Sequence, residues 1–327
     1  MPKFSVVMSS YNYGHYISQA IQGVLDQTFK DFEFIVADDG STDNTAEVVA
    51  SFPSVKYFRT AENKGPAAAT NYGVTKSQGK YLAFVGADDI LLPRALELAG
   101  EVMDAHPEVG LVYGQAYMMD ENGHLYRIRG SSFLRQSAVI NGMRQIKELL
   151  FENRIIPSFM VTRQCFDAIG GFNEELRAIA EDRHFCIRAA KKFSIGYIAE
   201  PIVKYRLHLN QMHRRVDPKL AEVAFKLVLS EVYDDPNFAP HFQYLKRAAY
   251  SRNYRRIAGY GLYYGRDLKL ARRYLRKAVM TYPEIMFSQD GLSIAYEYAV
   301  SLLPKGIWQT MEGMKNRVQD PVKRMRD

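Results

Sequence analysis

Apolar and polar positions along the first two thirds of the chain switch repeatedly between a continuous run and a helical stripe. Residues 4–8 are an apolar run, residues 9–14 a polar loop, and Ile17, Ala20, Ile21, Val24 and Leu25 then recur at helical spacing. The pattern repeats with a run at 32–37 and a helix to about residue 52, which Ser41 or Thr42 can cap. A third strand at 55–59, a turn at 63–66 and a small-residue helix at 67–76 lead to the central run, residues 81–85. That run is apolar throughout, as in a strand covered on both faces. Leu92, Leu96, Ala99, Val102 and Met103 mark the next helix, residues 109–113 another strand, and residues 117–126 a hairpin around Glu121-Asn122-Gly123.

Periodicity is weakest over residues 114–155, a stretch assigned by its position to the acceptor side of any reaction centre. A strand is expected at 155–161, a short helix stopped by Gly170-Gly171-Phe172, and a helix over 181–192 with Cys186, Ala189 and Ala190 inward. Strands at 195–199 and 202–206 precede a loop at 207–213. Strands alternating with helices predict an α/β domain, residues 1–215, with a doubly wound, mostly parallel, Rossmann-like sheet. Residues 216–327 read as a helical appendage. Within it, residues 250–284 form a helix-turn-helix with Leu268, Ala271, Leu275 and Ala278 on one face and Lys269, Arg272, Arg273, Arg276 and Lys277 on the other.

Charge sharpens this division. Residues 241–327 hold 17 Lys and Arg against 7 Asp and Glu, so they carry +10, and residues 1–240 carry −3 of the net +7. A basic partner surface belongs to the tail, and an anionic membrane surface is the expected partner. The tail's tyrosines, including Tyr250, Tyr254, Tyr260, Tyr263, Tyr264 and Tyr274, are spaced for helix packing, which disfavours nucleic acid. Two cysteines, Cys165 and Cys186, make no disulfide framework, the first apolar run is short for a signal peptide, and no 18-residue apolar span occurs. A cytoplasmic protein, peripheral at most on the inner face of the plasma membrane, is expected.

Candidate chemistry lies where the strands end. Asp38-Asp39 follows the second strand, Asp88-Asp89 the central strand, and Glu181-Asp182 opens a helix. Ligands of open α/β sheets bind beyond the carboxyl ends of the strands. Carboxylates there repel a diphosphate but hold Mg²⁺ or Mn²⁺, which bridges to it. Asp38-Asp39 can instead accept from a nucleobase N–H and ribose hydroxyls. Asp182, at a helix amino end where the dipole favours the anion, is the natural general base. Taken singly, Asp38-Asp39-Gly40-Ser41 is also a turn and cap, and Asp88-Asp89 before Pro93 a helix start.

The series Val6-Val7-Met8-Ser9-Ser10-Tyr11-Asn12, Asp38-Asp39-Gly40-Ser41-Thr42-Asp43, Asn63-Lys64-Gly65, Gly86-Ala87-Asp88-Asp89, Gly170-Gly171-Phe172 and Glu181-Asp182 resembles, in this order, the family 2 glycosyltransferases. The resemblance covers about residues 3–213 and implies the GT-A fold and inverting transfer from a nucleoside-diphosphate sugar, UDP-linked, to a glycan or lipid-linked acceptor in surface polysaccharide synthesis. It implies that Ser9, Tyr11, Asp38, Asp39, Lys64, Gly65 and Asp88 hold the nucleotide, that Asp88 and His208 hold the metal, and that Asp182 with Glu181 supplies the base. Asp89, Gly170, Gly171, Phe172 and Arg206 fall to the sugar and acceptor pocket, with Arg206-Leu207-His208 matching the family's Arg-x-His pattern. Two departures stand out: Gly86 replaces the first acid of Asp-x-Asp-Asp, and Ala69-Thr70-Asn71 stands where Ala-Arg-Asn is usual.

Two other functions stay open on the residues. A nucleotidyltransferase uses a related core but needs a basic, glycine-rich loop after the first strand, and residues 9–14 contain one glycine and no Lys or Arg. A weakened nucleotide-sugar-binding protein, with Gly86 as the mark of lost activity and the tail as a partner surface, is the other. No Gly-x-Gly-x-x-Gly follows the first strand, which disfavours a dehydrogenase.

Overall fold

The first apolar run forms β1 (Phe4–Ser10), and its stripe of Ile17, Ala20, Ile21 and Val24 is buried on α1 (Ile17–Leu25). This computed structural model describes residues 1–131, 134–156, 158–208, 211, 216–264 and 267–302, and the chain divides into two units, residues 1–208 and 209–327. Pro157, and Leu209, Asn210, Met212 and His213 of the loop expected after the last strand, lie outside the described residues.

The first unit continues with β2 (Phe32–Asp38), α2 (Thr45–Ala50), β3 (Lys56–Arg59), α3 (Pro66–Thr75), β4 (Tyr81–Gly86), β5 (Ile90–Leu91), α4 (Ala95–Ala105), β6 (Val109–Met119) and β7 (Leu125–Arg129). It ends with β8 (Ala138–Ile140), α5 (Gly142–Leu149), β9 (Met160–Thr162), α6 (Arg163–Ile169), α7 (Glu181–Lys192) and β10 (Ser194–Arg206). The sheet runs β3-β2-β1-β4-β9-β6-β10-β5, with β7 on β6 and β8 on β10. Pairs within β3-β2-β1-β4 are parallel, as is β6 with β10, whereas the three-residue β9 enters antiparallel between β4 and β6. Arg163, the residue after β9, fastens it by donating to the Gly79 carbonyl (2.7 Å) and the Ser77 hydroxyl (2.8 Å).

The two strands expected at 195–199 and 202–206 are one strand. Its register against β6 slips around Pro201, whose missing N–H cannot join a ladder. Register also fixes the height of the strand ends: Ser9 stands opposite Ala37 on β2 and Gly86 on β4, and Ser10 opposite Asp38. The loops that leave β1, β2 and β4 therefore start at one level on one edge.

Phe84, Phe159, Phe166, Phe172 and Phe185 form an aromatic core in which Phe172 stacks on Phe185, centroids 4.3 Å apart. Cys165 and Cys186 are free and buried, and burial pushes the Cys165 thiol up to about 12.

The second unit contains α8 (Pro218–Tyr233), α9 (Ala239–Phe242), α10 (Lys246–Gly259), α11 (Leu268–Thr281) and α12 (Gln289–Leu302). As the spacing predicts, Ala271, Leu275 and Ala278 of α11 are buried. The opposite face is not a continuous free basic stripe. Lys277 bonds Glu222 (2.5 Å), Arg276 bonds the Tyr298 hydroxyl (2.8 Å) and Arg272 the Ser301 carbonyl (3.0 Å). Burial works against ionisation of Glu222, but hydrogen bonds from Lys277, Tyr274 and Lys226 prevail and hold its carboxyl at about 2. Among the described residues, no helix is long and apolar enough to cross a membrane.

Candidate active site

The loop after β1 is stitched to the loop after β2. Asn12, in the left-handed region at φ 57°, accepts through Oδ1 from the Thr42 N–H (2.7 Å), and its own N–H donates to Ser41 Oγ (2.9 Å). Short polar side chains tolerate this conformation because they bond locally. Ser41 does not cap the following helix as expected; its hydroxyl and N–H both donate to Asp38 Oδ1 (2.5 and 2.9 Å), and Thr45 at the start of α2 is bonded by Asp43 instead.

The Asp38-Asp39 pair is divided by its surroundings. Asp38 is 0% exposed and also accepts from the Tyr57 hydroxyl, so its carboxylate is consumed within the protein. Asp39, 2% exposed, accepts from the N–H groups of Lys64 (2.9 Å) and Gly65 (2.7 Å), which leaves lone pairs for a ligand. Burial, reinforced by Asp38, raises the Asp39 pKa over the lowering effect of these two bonds. Base recognition fits Asp39, with Asp38 as its support. Gly65 sits at φ 97° before Pro66, where a Cβ would meet the Arg177 backbone at 3.2 Å. Lys64 directs its ammonium to exposed Glu62 (3.3 Å). Ser9 and Tyr11, at the end of β1 and in its loop, are half-buried.

At the end of β4, Asp88 and Asp89 do different work. Asp89 is buried and accepts from the Arg206 N–H (3.0 Å) and the Ser158 hydroxyl (3.1 Å); burial first, and Asp88 second, raise its pKa well above the ordinary range. Asp88 Oδ2 lies 3.0 Å from His208 Nε2. Tyr13 and Tyr16 enclose that imidazole, with ring centroids at 5.8 and 5.3 Å. His208 Nδ1 is buried without a hydrogen-bond partner among the described residues. A divalent ion with ligands at about 2.1 Å in octahedral geometry sets adjacent donors about 3 Å apart, so the pair fits one. Oxygen with imidazole suits Mn²⁺ better than Mg²⁺. Among the described residues no group of three or more His, Cys, Asp or Glu side chains could hold a metal ion by itself.

Gly86 lies close to its neighbour: a Cβ there would lie 2.7 Å from Asp88 Oδ1. A side chain at 86 would make the Asp88 carboxylate turn aside.

Arg206 does not face a pocket. It is 1% exposed and donates to the Asp88 carbonyl (2.9 Å), the Glu121 carbonyl (3.1 Å) and Gln19 Oε1 (2.7 Å), with its guanidinium 4.5 Å from the Tyr16 ring centroid. It positions the acidic loop. Phe172 likewise belongs to the aromatic core, and Gly170 and Gly171, at φ 73° and 69°, shape the stop of α6. Asn71 holds that turn, donating to the Phe172 carbonyl (2.9 Å) and accepting from its N–H (2.9 Å). That bond gives the Ala69-Thr70-Asn71 segment a clear structural task.

Glu181 and Asp182 occupy the first turn of α7, which starts after Ala180 at φ 59°. Asp182 accepts from Asn153 Nδ2 (2.7 Å) and the Arg183 N–H (2.6 Å), and Arg183 anchors the turn by donating to the carbonyls of Leu149 (2.5 Å) and Leu150 (2.6 Å). Burial, then Asp182, raise Glu181 well above the usual carboxylate range. Tyr205 joins the two acidic regions: after burial, Asp89, Asp88 and Asp182 each raise its phenol further. Tyr13, Tyr16, Asn153, Ser158 and Tyr205 were not singled out from the sequence; the crowding of Tyr11, Tyr13 and Tyr16 in one loop was the signal for two of them.

A twisted α/β sheet with acidic loops along one edge is the architecture of nucleotide-binding transferases of the GT-A type. Residues 5–169 match the model of glycosyl transferase family 2, and the chain belongs to that family. An uncharacterized glycosyltransferase of Methanocaldococcus jannaschii is 29% identical over 215 residues, 63% of this chain and 71% of the relative. One from Rickettsia conorii is 28% identical over 65% of this chain but only 35% of its own length. Among solved structures, residues 1–349 of Staphylococcus aureus TarS in complex with UDP-GlcNAc superpose with TM-score 0.68 at 19% identity, covering 91% of this chain and 90% of that one. The Pyrobaculum calidifontis mannosyltransferase PcManGT in complex with GDP-Man and Mn²⁺ gives TM-score 0.56 at 17% identity, covering 96% and 84%.

Proposed function

We propose that this glycosyltransferase moves a sugar, with inversion, from a UDP-linked donor to a hydroxyl of a glycan or lipid-linked acceptor in surface polysaccharide synthesis. The observation that carries the reading is the pairing of Asp88 with His208, 3.0 Å apart at the end of β4, in a chain of glycosyl transferase family 2. Asp39, with Ser9 and Tyr11, receives the nucleoside. Asp88 and His208 would hold Mn²⁺ or Mg²⁺, which neutralises charge on the diphosphate when bound. Asp182 takes the proton of the acceptor hydroxyl as its oxygen attacks the anomeric carbon. The bond from that carbon to the diphosphate oxygen breaks, and the nucleoside diphosphate leaves with the electron pair. An α-linked donor then yields a β-linked product.

The choice of UDP leans on the TarS complex, and GDP is the competitor that the PcManGT complex names. A thermal-shift comparison of UDP and GDP, each with Mn²⁺, Mg²⁺ or EDTA, tests it. UDP with Mn²⁺ at a hundredfold excess over its Kd should add about 2.7 kcal/mol of stability. Stabilisation by GDP alone, or by neither nucleotide, contradicts the donor.

The same reading places the second unit on the inner face of an anionic membrane. Lys269 and Arg273 are exposed, and so are several apolar side chains of the same unit, Phe287 at 95%, Met280 at 81% and Leu292 at 75%. Co-sedimentation of the full chain should be strong with phosphatidylglycerol vesicles, weak with phosphatidylcholine, and reduced by Phe287→Ser with Leu292→Ser. Equal sedimentation with both vesicle types removes the membrane role.

A further inference from the structure

The geometry points to an anion-binding cleft beside the reaction centre that takes a phosphate group of the acceptor. The inference rests on the transferase reading above and deepens it. A cleft of 480 Å³ opens between β7 and the segments on either side of it, lined by Arg127, Arg129, Arg135 and Arg154 with Glu152 and Gln115. Four guanidinium groups face one carboxylate. Glu152 pairs with Arg154 (3.1 Å) and Arg129 (3.5 Å), while Arg127 and Arg135 make no ion pair among the described residues. Such a surplus of forked donors in a concave site matches a phosphate, whose oxygens accept several charge-assisted bonds at once.

The cleft is joined to the proposed base. Arg129 Nη2 donates to the Asn153 carbonyl (2.9 Å), and Asn153 Nδ2 donates to Asp182 Oδ2 (2.7 Å). One residue thus links the arginine wall to the carboxylate that receives the acceptor proton. The donor diphosphate has its own place at Asp88 and His208, at the end of β4. A phosphate in the arginine cleft therefore belongs to the other substrate, either as the diphosphate of a lipid carrier or as a phosphodiester within a polymer.

Calorimetry on the full chain in EDTA, with glycerol, glycerophosphoglycerol and geranyl diphosphate as probes, tests this. At least one phosphate-bearing probe should bind while glycerol does not, and the tighter of the two identifies the source. The double variant Arg127→Ala, Arg135→Ala should weaken that binding roughly tenfold for each arginine removed, with UDP binding in Mn²⁺ unchanged. Phosphate probes that bind the variant as well as they bind the native chain, or that bind neither, overturn the proposal. Loss of UDP binding in the variant overturns it too, by assigning the cleft to the donor. Arginine-dependent phosphate binding in a chain that binds no nucleotide would keep the cleft and reject the donor reading.

Discussion

Asp182→Asn lowers transfer turnover about 10²- to 10⁴-fold, the usual worth of a positioned general base, and leaves UDP binding in Mn²⁺ intact. The amide keeps the shape of the carboxylate and its oxygen can still accept from the Arg183 N–H, so the first turn of α7 is preserved while the bond from Asn153 Nδ2 is given up. What disappears is the charge that accepts the acceptor proton. Glu181 does not take over the role, because burial, the larger of the two causes that raise its pKa, persists when the neighbouring carboxylate is removed. A base must be ionised to act, so wild-type turnover falls as pH drops through the base's titration, and the variant should lose that acid limb. Single-turnover rates at saturating donor across pH provide the check, and an Asn variant with native turnover removes Asp182 from the chemistry.

Asp88→Asn and His208→Ala each weaken Mn²⁺-dependent UDP binding by about 100-fold, or about 2.7 kcal/mol, while leaving any metal-independent nucleotide binding in place. The two donors stand 3.0 Å apart inside a wall of tyrosines, and few other protein ligands are at hand to replace either. Both variants should retain the fold, since the bonds that brace the acidic loop are made by Asp89 and by the Asp88 carbonyl rather than its side chain. Titration of Mn²⁺ at fixed UDP reads the loss. Undiminished Mn²⁺ dependence in both variants would place the ion elsewhere.

Much of the first unit was legible because its apolar runs are short, unbroken and each closed by acids or glycines, which is how a sheet strand meets a ligand-binding loop. The helical stripe of α1 and the hairpin around Gly123 were read for the same reason: their signals are local. Arg206 and Phe172 show where local reading stops. An Arg two residues before a His has the same sequence whether it faces a phosphate or is buried against carbonyls from Asp88 and Glu121. Phe172 follows a glycine turn in either case, and only the approach of Phe185 decides that it is core. The stretch that carried least pattern, residues 114–155, supplies Asn153 and most of the arginine cleft. Its residues are chosen for what they meet across the fold rather than for periodicity. The α11 stripe failed in the opposite way, since a regular basic face became partly internal once Glu222 and Tyr298 closed on it.

Three distant parts of the chain, the acidic loop, the first helix and the hairpin turn, meet on one guanidinium, which Arg206 carries at the end of the last strand. None of them is an independent hinge. We expect whatever breathing admits a sugar nucleotide and releases its spent half to be carried by segments outside that knot.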